Sequence, residues 1–249
     1  MKKKLIMFFL LLFSLQTMFS TSSNEVLASI KALLGELKDS SSGAIDSEGN
    51  YTKDSGNGLN CSGFAKWIVD GFYYPLTEGL SERYMSLKLL REKHPEERGP
   101  KEILMYEDTR DPYFGLDFTR NMAVQLGKKR GENTFYKKYD VVDSDICNYI
   151  MNCGYPLKKI EQVILEQEKK HPNRIYLGSI NGMFGSKPQL WQHYHIAVFI
   201  PYYENNELKV AVLERNKETS FSYLLKRYSN TYCHLVSIPI EGDFELKKP

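Results

Sequence analysis

Hydrophobic positions along this chain recur at helical spacing in the first two thirds and at strand spacing in the last third. Intervals of three and four residues predict amphipathic helices, whereas alternation and short apolar runs predict strands. We expect helices at 24–38, 61–71, 80–90, 118–126, 145–151 and 160–167. We expect strands at Arg174–Ile180, Trp191–Ile200, Leu208–Arg215 and Tyr232–Ile238, with a short helix at Phe221–Arg227 before the last one. Helices followed by strands joined by turns predict an α+β fold with an antiparallel sheet.

The N-terminus has the pattern of a secretory leader. Lys2, Lys3 and Lys4 precede an apolar run at Leu5–Phe19, which is short for a membrane span, and small polar residues follow. We expect a signal peptide at 1–22, a single domain at 23–249, and export to the periplasm or beyond the cell. An uncleaved N-terminal anchor stays open, because no clean small-x-small cleavage site follows the apolar run.

Composition and charge exclude some classes of protein. The chain has 249 residues, of which 42% are hydrophobic and 13% aromatic, so it can bury a sizeable core. The leader contains three lysines and no acidic residue, so its removal leaves 30 basic against 31 acidic residues. No basic stripe with interleaved aromatic residues remains, which argues against a nucleic-acid partner. After leader cleavage we expect no membrane partner either.

Cys61 stands where a polar loop ends and an amphipathic helix begins, in the segment Gly58–Ile68. The free N–H groups and the partial positive charge of a helix N-terminus favour a thiolate and can receive an oxyanion. Cys61 is therefore a candidate nucleophile, and the alternative is a buried structural thiol. We interpret the other three cysteines as packing residues: Cys147, Cys153 and Cys233.

A thiol nucleophile needs a base, and histidine suits this role near neutral pH. Of five histidines, two open a hydrophobic strand: His193 and His195. Alternation predicts that both lie on one face, so either could be the base. A predicted hairpin turn at 203–206 makes 208–215 the neighbouring strand, from which Glu214 could reach an imidazole and orient it. A rival interpretation takes the two histidines as zinc ligands, with Glu214 or Cys61 as a third.

Two motifs resemble those of NlpC-type cysteine peptidases, which are bacterial cell-wall enzymes of the papain-like superfamily. Asn60–Trp67 (NCSGFAKW) resembles the Asp-Cys-Ser-Gly-Phe-Val motif of that family, and His195–Phe199 (HIAVF) resembles its His-Val-Gly-Ile-Tyr strand. The resemblance implies a papain-like fold in which Cys61 is the nucleophile, His195 the base and Glu214 the third residue. It implies no metal and no organic cofactor.

The resemblance also suggests residues of a substrate site. The family has a tyrosine about a dozen residues before its cysteine, and Tyr51 is the candidate here. We add Ser62, beside Cys61, and His193, on the predicted face of His195.

Asn60 stands where the family motif has aspartate, and this chain departs from the family in two further respects. A glutamate is less usual than a histidine as the third residue, and the 134 residues from Cys61 to His195 exceed what the family core needs. We expect the surplus to be a helical insertion at about 79–172. Within it we interpret the charged stretch 108–121 as a solvated helix start, capped by Asp117, without a functional role.

The expected function is that of an exported thiol hydrolase that cleaves an amide bond in the peptide stem of peptidoglycan. A related papain-like amidase or acyltransferase, acting on another amide substrate, is an alternative. A non-catalytic wall-binding protein on the same fold is another.

Overall fold

The structure is a computed structural model, which describes residues 21–39, 58–77, 85–87, 112–133, 135–184 and 190–248. The helices are α1 (Ser23–Leu34), α2 (Cys61–Tyr73), α3 (Phe114–Lys129), α4 (Ile160–Lys170) and α5 (Phe221–Arg227). The first strands are β1 (Lys38–Asp39), β2 (Gly58–Leu59), β3 (Tyr155–Pro156) and β4 (Arg174–Phe184). The later strands are β5 (Leu190–Glu204), β6 (Glu207–Glu214), β7 (Lys217–Thr219) and β8 (Tyr232–Pro239).

An antiparallel six-stranded sheet organises these elements, in the order β3-β8-β4-β5-β6-β7. The α+β class and the four predicted strands are confirmed, and each strand is longer at one or both ends than predicted except Leu208–Arg215, which shifts by one residue to Glu207–Glu214. The short parallel pair of β1 and β2 lies outside this sheet.

Helices cover both faces of the sheet, which explains why β5 is apolar without interruption from Ile196 to Ile200. Ile196, Val198 and Ile200 belong to one buried cluster, together with residues of α1, α2 and α3. Ala197 and Phe199 belong to a second cluster, together with residues of α4 and α5. A strand buried on both faces loses the polar alternation of a half-exposed strand.

Two-residue turns join β5 to β6 and β6 to β7. Asn205 and Asn206 form the first, with φ of 51° and 64°, which confirms the predicted hairpin. Arg215 and Asn216 form the second, with φ of 47° and 66°. Positive φ at both central residues is the geometry that matches the twist of antiparallel strands, and Asn tolerates it well.

The described part of the predicted insertion is built into the main core and is not a separate helical block. Phe118, Met122 and Leu126 of α3 are buried in the cluster that also contains the residues of α2. Tyr155–Pro156 adds an edge strand to the sheet by pairing with β8. The predicted helices at 118–126 and 160–167 are confirmed, and the one predicted at 80–90 lies largely outside the described residues.

The helix predicted at 145–151 is wrong. The chain there forms turns, with Asn148 and Asn152 at φ of 76° and 62° and a bridge between Ile150 and Gly154. Asparagine side chains compete with helical hydrogen bonds and favour such turns, which outweighs the apolar spacing. Cys147 is exposed in this region, so its interpretation as a packing residue is also wrong.

Residues 108–111 of the charged stretch lie outside the described residues, and the described part, 112–121, is not a solvated helix start. Asp117 is buried and does not cap the helix, whose N-cap is Tyr113. Arg120 is also buried and donates two hydrogen bonds to Asp140, at 3.0 and 2.7 Å, close to the buried His234. A buried arginine needs such a partner, because an unpaired buried charge is costly.

The two ends of the described chain pack against the body. Ser22 caps α1 by a capping box with Glu25, and the carbonyl of Thr21 accepts a hydrogen bond from Asn173. The C-terminal tail, residues 241–248, lies along α2, where Phe244 occupies the space that a side chain at Gly71 would need. No helix in the described ranges is long and apolar enough to cross a membrane.

Candidate active site

The N-terminus of α2 is shaped by Asn60. Its side-chain oxygen accepts hydrogen bonds from the N–H of Gly63 and the hydroxyl of Ser62, each at 2.8 Å. Asparagine thus caps the helix in the place where the family pattern has aspartate. Cys61 is the first helical residue, as predicted, and it remains partly exposed. Among the described residues, the N–H groups of Cys61 and Ser62 have no acceptor, so they are available to a developing oxyanion.

His195 and Glu214 form the second part of the site, on neighbouring strands β5 and β6. The Nε2 atom of His195 lies 2.5 Å from the Oε2 atom of Glu214, and both side chains are buried. Because a carboxylate can only accept, Nε2 carries the proton and donates. Nδ1 is then the nitrogen that can exchange a proton with a thiol. This is the orienting contact that the sequence predicted for Glu214.

The structure brings the thiol of Cys61 to this imidazole. Burial opposes ionisation of Cys61, but the hydrogen bond and charge of His195, the N–H of Ile196 and the charge of Arg215 together lower its pKa. Burial likewise opposes protonation of His195, but Cys61 and Glu214 raise its pKa. Opposite shifts in the two partners favour a thiolate beside an imidazolium, which is the reactive form of a cysteine–histidine pair.

The prediction that His193 and His195 share a face is wrong. His195 pairs with Ile180 and His193 with the adjacent Asn181, so the register passes over Tyr194 and forms a β-bulge. Since Ile180 and Asn181 point to opposite faces of β4, the two histidines do too. A bulge changes the alternation that the prediction assumed.

His193 therefore belongs to a different environment. Its Nδ1 is 2.9 Å from the hydroxyl of Ser179, and its ring lies beside Tyr113, with 6.0 Å between the centroids. It is buried next to the start of α3, where Gly115 leaves room for it. Of the two candidate bases, the structure places His195 at Cys61.

The other predicted substrate residues gain no direct support. Ser62 is buried, and its hydroxyl is bound to Asn60. Tyr51 lies outside the described residues.

The rival zinc interpretation is not supported, because the bulge separates the two histidines that it takes as ligands. In the part of the chain that the structure describes, no group of three His, Cys, Asp or Glu side chains could hold a metal ion.

Two residues of the site were missed in the sequence. Tyr228, at the end of α5, stacks on His195 with 4.9 Å between centroids and 27° between ring planes. Arg215 follows Glu214 in the β6–β7 turn, and its charge acts on Cys61. The pair Arg215-Asn216 between two polar strand ends is a recognisable turn signal. Nothing in the spacing of Tyr228 along the chain indicates that it stacks on His195.

Comparison with protein-family models, with curated proteins and with solved structures found no match to this chain. The structure itself shows an α+β fold with a curled antiparallel sheet. A proposal of function rests on the geometry of Cys61, His195 and Glu214.

Proposed function

We propose that this protein is a thiol hydrolase that cleaves an amide bond, with a papain-like arrangement of Cys61, His195 and Glu214. The observation that carries the proposal is the continuous contact from thiol to imidazole to carboxylate, with a lowered pKa at Cys61 and a raised pKa at His195. A structural cysteine needs none of these partners, and burial alone would raise its pKa.

The chemistry follows from the positions of these groups. The thiolate of Cys61 attacks the amide carbonyl, and the N–H groups of Cys61 and Ser62 stabilise the oxyanion. The imidazolium of His195 protonates the leaving amine from Nδ1, which leaves an acyl-enzyme. Neutral His195 then removes a proton from water, which attacks the thioester, and the acid product leaves. Glu214 keeps the proton on Nε2 and stabilises the imidazolium.

The substrate that we propose is the peptide stem of peptidoglycan. The resemblance of Asn60–Trp67 and His195–Phe199 to NlpC-type motifs supports it, as does the secretory pattern of the first residues. Thr21 and Ser22 belong to the expected leader at 1–22 but contact the folded body, so cleavage before Thr21 would retain these contacts and cleavage after Ser22 would remove them.

Alkylation tests the reactive thiol directly. Iodoacetamide at about pH 6 should modify Cys61 faster than the exposed Cys147 of the same molecule, as measured by peptide mass spectrometry over time. His195→Asn should remove this advantage. Equal rates at the two cysteines in the wild type would contradict the proposal.

Digestion of purified peptidoglycan tests the substrate. The wild type should release peptide fragments with new amino and carboxyl termini, whereas Cys61→Ala should release none. Cys147→Ala is the matched control, because it removes an exposed thiol outside the site. Fragment profiles that are identical for the wild type and Cys61→Ala would rule out peptidoglycan hydrolysis by this thiol.

A further inference from the structure

Three aromatic rings form a continuous row that begins at the imidazole of His195. Tyr228 stacks on His195, and the centroid of the Tyr194 ring lies 5.9 Å from that of Tyr228. Phe184 continues the row, since it stacks on Tyr194 with 4.4 Å between centroids and 13° between ring planes. We call Phe184, Tyr194 and Tyr228 the aromatic surface.

The outer part of the aromatic surface is open to solvent. Phe184 is 51% exposed and Tyr194 is partly exposed. Phe184 stands on an arm formed by residues 182–184 and 190–192, where β4 and β5 extend past their other neighbours and pair only with each other. Contiguous exposed rings of this kind mark a binding surface, and this one leads directly to the candidate active site.

Uncharged polar groups border the aromatic surface. Within the part of the chain that the structure describes, the hydroxyls of Tyr194 and Tyr228 form no hydrogen bond. The side chain of Gln192 donates a hydrogen bond of 3.0 Å to the carbonyl of Phe184, which places its amide beside the outermost ring. A ligand on these rings therefore meets neutral donors and acceptors at their edges.

A cavity of about 440 Å³ lies beside the aromatic surface. Its lining includes Ser229 and Asn230, which directly follow Tyr228 in the chain. Thr231 also lines it, donates a hydrogen bond of 2.6 Å to the carbonyl of Tyr228, and contacts Gly182 at the base of the arm. The cavity has the volume and the mixed lining of a small-molecule site.

We propose, on the basis of the proposed hydrolase function, that the aromatic surface binds a sugar ring of the substrate. The enzyme would then select peptide stems that are still joined to the glycan strand. A pyranose ring presents C–H groups on its faces, which pack on the negative faces of aromatic rings, and hydroxyls around its edge, which need neutral hydrogen-bonding partners. A purely apolar ligand would leave the phenol and amide groups unpaired once water is displaced, which is costly.

Binding of a soluble sugar tests the aromatic surface without any catalysis. The probe is the tetramer of N-acetylglucosamine, titrated into the whole protein in a calorimeter. We expect Phe184→Ala to weaken binding by about 3- to 10-fold, as for the loss of one stacked ring. Tyr194→Phe keeps the ring and removes the hydroxyl, and it should weaken binding by about 2- to 10-fold.

Phe135→Ala is the matched control for these variants. Phe135 is a similarly exposed ring, at 58%, and it lies beyond the C-terminal end of α3, whose N-terminal end is next to His193. It should leave the affinity for the tetramer unchanged, and circular dichroism checks that each variant is folded. No binding by the wild type, or unchanged affinity in both Phe184→Ala and Tyr194→Phe, would overturn the sugar site.

A pair of substrates tests the selection. One is a stem peptide attached to its disaccharide, the other is the same peptide without the sugar, and the ratio of their kcat/KM values is measured. The wild type should favour the attached peptide, and Phe184→Ala should lower this ratio by about 3- to 10-fold. Equal losses on both substrates would show that the ring contacts the peptide, which would also overturn the sugar site.

Failure of the sugar site and failure of the hydrolase give different results. A wild type that binds the tetramer but cleaves neither substrate would count against the hydrolase and not against the sugar site. A wild type that cleaves both substrates equally well and does not bind the tetramer would overturn the sugar site and leave the hydrolase intact.

Discussion

Replacing Glu214 with glutamine tests whether the carboxylate sets the reactivity of the thiol. Glutamine has nearly the same volume and can still accept a hydrogen bond from Nε2 of His195, but it has no charge. Glu214 is fully buried at 2.5 Å from the imidazole, so water hardly screens the interaction. Loss of the charge should therefore act on the ionic state of His195 and Cys61.

The size of the effect follows from this contact. A hydrogen bond to a charged group contributes about 1.5–3 kcal/mol, and about 1.4 kcal/mol corresponds to a factor of ten. The thiolate–imidazolium form should become about 10- to 100-fold less populated relative to the neutral pair. The thiolate–imidazolium form exists above the lowered pKa of Cys61 and below the raised pKa of His195. Glu214→Gln should therefore narrow the pH range in which this form is populated, at both its lower and its upper limit.

The assay is the rate of Cys61 alkylation by iodoacetamide from about pH 4 to pH 9, with exposed Cys147 as the internal reference. In Glu214→Gln the rise in rate should move to higher pH, and the rate at about pH 6 should fall by an order of magnitude. Glu207→Gln, an exposed change on the same strand, should reproduce the wild-type profile. A wild-type profile in Glu214→Gln would refute the coupling of Glu214 to the thiol through His195.

Two further predictions concern stability. Asp140→Asn should lower the free energy of unfolding, measured by urea denaturation at pH 7, by about 3–5 kcal/mol, because it leaves the buried Arg120 without its counter-charge. Burial alone would raise the pKa of Asp140, but His234 and Arg120 lower it to about 2. The stability that the charged Asp140 provides should therefore be present at neutral pH and should decline as the pH falls below about 4 toward 2. An Asp140→Asn variant that loses the same free energy of unfolding at pH 7 and at pH 2 would contradict this prediction. Gly71→Ala should destabilise by about 1–3 kcal/mol, since its new carbon would lie 2.4 Å from the ring of the C-terminal tail, whereas Gly35→Ala, with nothing within 4 Å, is the matched control. An equal effect of the two glycine changes would show that the tail does not pack on α2 as described.

Local sequence patterns predicted most of the regular elements, because each depends on neighbours along the chain. The start of α2 at Cys61 and the strand containing His195 are confirmed. The same local rules failed at 145–151, where turn-forming asparagines outweighed the apolar spacing. The resemblance that named Cys61, His195 and Glu214 remains a prediction of their roles, although the structure brings the three side chains together.

By itself, the sequence determined which side chains could supply a nucleophile, a base and a carboxylate, because residue type and helix position are local properties. Only the tertiary structure decided between the two histidines, because the bulge that turns His193 away arises from the pairing of β5 with β4. It also decided that Tyr228 and Arg215 border the site, since long-range packing of α5 and the β6–β7 turn brings them there. Contacts between residues far apart in the chain depend on the whole core, and no short window of sequence contains them.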